Sequence, residues 1–338
     1  MNKISFSFIV TMIVFSFVLA ACVEPEVKKQ NVISSLQGGE TGKIYFKSRN
    51  PFSYPDILDG LENDPEVTVY GVLKIPEGTQ GKIPAVVHVH GSGGWGKKHE
   101  RWLKALNKMG VATFRIDCFR PRGVSSTVGK QFEVTSPMMI TDAYYALKLL
   151  SNHPRIDKDR IGIIGGSKGG VVALNTAWRP IKHAYTDNDL KFAFHIAIYP
   201  FCMQFEKIDM TGAPILILIG EKDNWTPAGH CIEAVNHLVK SGYDAQIILY
   251  PDAYHSFDAD YSVRINRDGS GLTNCHIKIM EDGTQIETNS GLKADTEEEM
   301  KKVLAKCAQR GPYAGENMKA KYKSLEDMKI FVSEVCGL

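Results

Sequence analysis

Charge of one sign is what this sequence has least of: 40 lysines and arginines face 38 aspartates and glutamates, a net charge of +2 over 338 residues. A nucleic-acid binder would show a strong basic excess, so that class finds no support. Internal repeats are missing, and so is the G-x-x-x-x-G-K-[ST] pattern of a phosphate-binding loop. The uncharged N-terminal run, residues 4–19, falls short of the roughly 20 apolar residues that a membrane span requires. Disorder is excluded from the other side, by a charged fraction of only 23% with almost no net charge.

The N-terminus is informative for what it does contain. Lys3 precedes the uncharged run, and a positive flank before a short apolar core is the pattern of a secretion signal. The run ends in Leu19-Ala20-Ala21-Cys22. This tetrapeptide resembles the lipobox of bacterial lipoproteins, in which the cysteine is acylated and becomes the mature N-terminus. An uncleaved anchor or an ordinary signal cut nearby are the alternatives. All three place the remainder outside the cytoplasm; in the lipoprotein reading it faces the periplasm or cell exterior, with membrane contact only through the N-terminal lipid anchor at Cys22. Residues 23–40 read as a polar tether and 41–338 as one domain with an insertion at about 259–322.

Of seven cysteines, six follow Cys22. An even number in an exported chain is compatible with disulfides, although sequence alone does not give connectivity. Cys275 and Cys307 flank one polar stretch and form the first candidate pair. Cys202 and Cys231 each follow a core strand and form the second. Buried free thiols are the competing expectation for any of them.

Short apolar runs alternate with amphipathic stretches through the middle of the chain. Strands are expected at residues 67–75, 85–89, 112–116, 161–164, 192–199, 215–219 and 245–250, and helices at 99–108, 138–151, 169–177 and 228–240. The later strands are nearly continuous apolar runs, as in strands covered by helices on both faces. The fold class is therefore α/β, with a mostly parallel sheet, right-handed crossovers and reactive groups at the carboxyl ends of strands. Residues 259–322 break the alternation. They contain an expected hairpin, 275–280 with 284–288 turning through Glu281-Asp282-Gly283, then a charged helix at 296–308. A closing helix is expected at 325–335.

Strand 161–164 runs into Gly165-Gly166-Ser167-Lys168-Gly169-Gly170. A serine between glycines at a strand-to-helix junction matches the nucleophile elbow, a strained turn that exposes the hydroxyl. A serine hydroxyl is a poor nucleophile until a histidine accepts its proton, and a carboxylate must fix that histidine's tautomer. Strand 215–219 leads into Gly220-Glu221-Lys222-Asp223, and strand 245–250 into Pro251-Asp252-Ala253-Tyr254-His255. Ser167, Asp223 and His255 thus follow the order Ser, Asp, His, each after a later strand. Asp223 as a helix cap and His255 as an ordinary loop residue are the plainer readings, and Glu221 and Asp252 the other candidate carboxylates.

An oxyanion needs two donors aimed at it. The backbone N–H of Lys168 is one candidate. The loop His90-Gly91-Ser92-Gly93-Gly94-Trp95 offers Ser92 or Gly93 as the other. His88 and His90 share a strand face, but no acidic or cysteine partner follows at ligand spacing, so no metal is expected. Trp95, Arg120, Arg122 and Trp225 lie on loops expected to border the cleft, either arginine being suited to a substrate carboxylate.

Together these segments resemble the dienelactone hydrolase family of the α/β-hydrolase superfamily. The resemblance rests on HGSGG at 90–94, DCFRPRG at 117–123, the elbow at 165–170, GEKDNWTP at 220–227 and YPDAYHSFD at 250–258. It implies an α/β-hydrolase fold, no cofactor and a nucleophile–Asp–His mechanism on a small-molecule ester. The family's name-giving enzymes carry a cysteine nucleophile where this chain has Ser167, which suits ordinary acyl esters. Carboxylic ester hydrolysis is the expectation. A peptidase or acyltransferase on the same fold, and a non-catalytic binding lipoprotein, are the alternatives.

Overall fold

Leu216, Ile217, Leu218 and Ile219 follow one another without a polar break, and all four are buried. Burying each such side chain contributes about 1.5–3 kcal/mol, and a strand with no polar face requires helices on both sides. In the computed structural model, which describes residues 31–186 and 189–338, these residues belong to an eight-stranded sheet. Its strands are β1 (Gly42–Arg49), β2 (Glu66–Lys74), β3 (Ile83–Val89), β4 (Ala112–Asp117), β5 (Ile156–Gly166), β6 (His195–Ile198), β8 (Ile215–Gly220) and β9 (Ala245–Tyr250). The short β7 (Gln204–Phe205) lies outside it.

The spatial order is β1-β2-β4-β3-β5-β6-β8-β9. The first two pairings are antiparallel and all the others parallel. Helices α1 (Tyr54–Leu58), α2 (Lys97–Lys108), α3 (Ser136–Ser151), α4 (Lys168–Asn175), α5 (Arg179–Tyr185), α6 (Ala228–Lys240), α7 (Glu297–Cys307) and α8 (Met318–Cys336) complete the chain. This is the α/β-hydrolase architecture expected from the sequence. Val32–Leu338 form one compact unit.

Several local expectations shift. Strand β1 was absent from them, although Ile44, Phe46 and Ser48 alternate inward along it. The expected helix at 169–177 is α4, which ends at Asn175, and an unexpected second helix, α5, starts after Trp178 adopts extended backbone, with Pro180 in its first turn. Helix α3 starts earlier than expected, where the Thr135 side chain accepts from the Met138 N–H. Residues 32–40 do not continue as a tether: Ile33 N–H donates to the Tyr45 carbonyl at 2.8 Å and Leu36 is fully buried. The expected signal segment, Cys22 included, lies outside the described residues.

The stretch expected as an insertion builds a second layer. Its hairpin pairs Ile277–Ile279 with Gln285–Glu287, and the first of these strands adds in parallel to β7. Disulfides join Cys275 to Cys307 and Cys202 to Cys231, the two pairs expected, whereas Cys118 and Cys336 are buried thiols.

Candidate active site

The glycines around Ser167 have a steric cause. A Cβ at Gly165 would stand 2.2 Å from the Gly169 carbonyl oxygen, and one at Gly169 would stand 2.4 Å from the Val89 carbonyl oxygen. Only bare backbone lets β3, β5 and α4 converge so tightly. Ser167 itself sits at φ 55°, ψ −119°, a conformation an L residue rarely adopts. That strain turns its side chain up from the junction, at the N-terminus of α4.

His255 Nε2 lies 3.0 Å from Ser167 Oγ, and His255 Nδ1 lies 2.8 Å from Asp223 Oδ2. The three expected residues are thus joined by one chain of hydrogen bonds. Asp223 is held by its own turn: Oδ1 accepts from the N–H groups of Trp225 and Thr226, both at 2.9 Å. The Thr226 hydroxyl stands 3.1 Å from Asp223 Oδ2 and 3.0 Å from His255 Nδ1. The imidazole and the carboxylate are almost wholly buried, which strengthens their interaction. Glu221 is exposed, and Asp252 pairs with Lys222 at 2.5 Å, so neither takes the place of Asp223.

Thr226 was not singled out from the sequence, nor was a second network behind the imidazole. The Tyr199 ring packs edge-on against His255 at 4.8 Å, and its hydroxyl donates to Asp258 Oδ1 at 2.8 Å. Lys98 Nζ donates to the Tyr199 hydroxyl at 2.9 Å, and Trp102 Nε1 to Asp258 Oδ2 at 2.9 Å. Burial pushes the Asp258 carboxyl up, but the Lys98 ammonium and these hydrogen bonds hold it below the ordinary carboxylate value. Asp258 ends the segment YPDAYHSFD, so its signal was present beside the histidine.

Ser92 and Lys168 both line the space over Ser167, and Gly93 does not. The Ser92 carbonyl accepts from Thr127 N–H at 2.8 Å and its hydroxyl donates to Gln131 at 3.1 Å, which fixes the loop. The Lys168 side chain is buried, with Nζ donating to the carbonyls of Gln131 and Val134. Burial lowers its pKa to about 7.

Of the four residues expected to border the cleft, only Trp225 does. Trp95 donates to the Ile116 carbonyl at 2.8 Å and packs edge-on among His88, His90 and His99. His90 and His99 are driven down by burial to about 4 and about 3. Arg122 makes a bidentate pair with the buried Asp142 at 2.8 and 3.0 Å, so its guanidinium is consumed inside the fold. Arg120 is exposed at the turn after β4, beside Asp117 at 3.4 Å.

The cavity over Ser167 measures about 270 Å³. One wall comes from the loop before α3 and the other from the 259–316 layer, which reaches over the elbow. Trp225 ties the layer to the catalytic histidine: its ring lies 4.9 Å from His255, and its carbonyl accepts from Leu272 N–H at 2.9 Å.

A parallel sheet with a strained serine elbow, followed by aspartate and histidine at later strand ends, defines an α/β-hydrolase. The chain matches the dienelactone hydrolase family over residues 69–280 and belongs to that family. It is 26% identical over 152 residues to the uncharacterized peptidase YtmA of Bacillus subtilis (strain 168), covering 37% of this chain and 59% of that protein. Over 49 residues it is 47% identical to a Yersinia pestis protein provisionally named a carboxymethylenebutenolidase, covering 14% of this chain and 18% of that one. The chain therefore spans less than two thirds of either curated relative. Among solved structures it is similar to Thermogutta terrifontis esterase 2 phosphoramylated by tabun, with TM-score 0.47 and 16% identity over 59% of this chain and 83% of that one.

Proposed function

We propose that this protein is a serine hydrolase that cleaves carboxylic esters through an acyl-enzyme intermediate. The carrying observation is the unbroken path Ser167–His255–Asp223, with bonds of 3.0 and 2.8 Å, whose serine lines a cavity. His255 Nε2 takes the hydroxyl proton as Ser167 Oγ attacks the ester carbonyl, and Asp223 stabilises the imidazolium. Backbone N–H groups of Lys168 and Ser92 receive the oxyanion. On collapse the C–O bond breaks and His255 protonates the leaving alcohol. Water, deprotonated by the same imidazole, then attacks the acyl carbonyl, and the carboxylic acid leaves as Ser167 regains its proton.

The test is labelling of the full chain with a fluorophosphonate probe beside Ser167→Ala. Labelling that disappears in the variant is expected, together with a loss of turnover on the order of 10³-fold or more. Labelling that survives in the variant would contradict the reading. The name of the Bacillus relative motivates a second reading as a peptidase, which matched ester and anilide substrates separate: faster cleavage of the anilide favours it. Export with lipidation at Cys22 remains part of the proposal. It is supported by the lipobox-like tetrapeptide and by two disulfides, which persist in oxidising compartments. Incorporation of labelled fatty acid that stops in Cys22→Ser checks it.

A further inference from the structure

The cavity over Ser167 carries information about what it accepts. Its lining is largely apolar, with Phe201 and Val171 from the body and Leu272, Ile277, Val303 and Leu304 from the 259–316 layer. Among the described residues no arginine lines it, both expected arginines being elsewhere. Its one lysine, Lys168, has its nitrogen committed to the carbonyls of Gln131 and Val134. The charged side chains that remain are acids, Asp268 and Asp295, and the latter already accepts from Gln285 N–H at 2.7 Å. An anionic group entering here would lose its hydration, find no free cation and meet two carboxylates.

We propose that the cavity binds the acyl part of the substrate, and that this acyl part is an uncharged, apolar chain of moderate length. The proposal rests on the reading of Ser167 as the nucleophile. The acyl group is the part that stays bonded to Ser167 through both steps, whereas the alcohol must leave before water attacks. A walled cavity suits the part that stays. Its volume of about 270 Å³ falls just under the roughly 300–1,000 Å³ of pockets for drug-sized ligands, which limits the chain. The 259–316 layer is then the specificity element, cross-linked within itself by the Cys275–Cys307 bridge and joined to the body where Ile277–Ile279 pairs with β7 and Leu272 N–H donates to the Trp225 carbonyl at 2.9 Å.

The test uses the full chain and three p-nitrophenyl esters: acetate, hexanoate, and the adipate monoester, in which a carboxylate replaces the terminal methyl of hexanoate. The expected kcat/KM for hexanoate exceeds that for the adipate monoester by about a hundredfold or more, the scale on which a pocket rejects an unpaired charge. In Leu304→Trp, or Met300→Trp should the first not fold, the hexanoate-to-acetate ratio falls about tenfold or more as the apolar lining fills the space. Equal turnover of hexanoate and adipate monoester, with fluorophosphonate labelling of Ser167 intact, would overturn the proposal and leave the serine hydrolase reading standing. An unchanged hexanoate-to-acetate ratio in a folded tryptophan variant would overturn it too. Absence of both labelling and acetate turnover in the wild-type protein would overturn the Ser167 reading and the proposal together.

Discussion

The sheet that carries Ser167 and the layer that covers it are built on different principles. Strands β3 and β8 are buried along their whole length, and the parallel ladder from β3 to β9 fixes the positions of the elbow, the Asp223 turn and the His255 loop. The 259–316 layer has strands of two or three residues, with Arg264 and Ile265 both exposed. A disulfide cross-links it internally, and it is joined to the body by pairing with β7, by the bond from Gly315 N–H to the His255 carbonyl at 2.9 Å, and by contact with Trp225. Chemistry therefore sits on the part built from long, fully buried strands, and the wall that meets the acyl chain sits on short strands anchored to the core by a few buried residues such as Ile279 and Val303.

The sharpest way to break this comparison is inside the body. Arg122→Met leaves Asp142 buried without its bidentate partner, and a loss of about 3–5 kcal/mol of stability is expected. Urea unfolding checks it, with Arg120→Ala as the control: that residue is exposed, and a change within about 0.5 kcal/mol is expected. If the two substitutions cost the same, the distinction between buried and surface arginine fails.

The covering layer gives a smaller effect of another kind. Replacing Cys275 and Cys307 together by serine opens a loop of 32 residues in sequence, and a loss of about 2–4 kcal/mol is expected for a bridge of that span. The loss should appear first as faster amide exchange in 259–316, with β8 still protected. Uniform loosening of both regions would contradict a separately held layer.

The smallest effects come with pH. Burial lowers His90 to about 4, His99 to about 3 and His195 to about 4, from an ordinary value of 6.5. Between those values and 6.5 the unfolded chain binds more protons than the folded one, so stability rises with pH across that window and is lost on acidification. All three lie in the body. His195→Gln should flatten the slope of stability between pH 6.5 and 4, and a slope unchanged in that variant would contradict the part given to burial. Thermal midpoints measured across that range check it.

Much of the body was legible in the sequence because its signals are local. Continuous apolar runs mark buried parallel strands, and the glycines of 165–170 mark a junction that no side chain could fit. The order of Ser167, Asp223 and His255 follows from strand order alone. Thr226, Tyr199 and Lys98 escaped notice because their roles depend on which segments the fold brings together. Lys98 and Tyr199 are 101 residues apart, for example, and meet only across the sheet. The misplacement of Arg122 has the same origin. A loop arginine reads as available for substrate until its partner, Asp142 on α3, is seen.

The central claim is that Ser167 is acylated during turnover. Its direct test is rapid quenching of the full chain with p-nitrophenyl hexanoate, followed by mass spectrometry of the peptide that contains residue 167. A hexanoyl group on Ser167 that forms and decays at rates compatible with steady-state turnover is the expected result. Turnover with no acyl group on that peptide, or with the group on another side chain, would contradict the account.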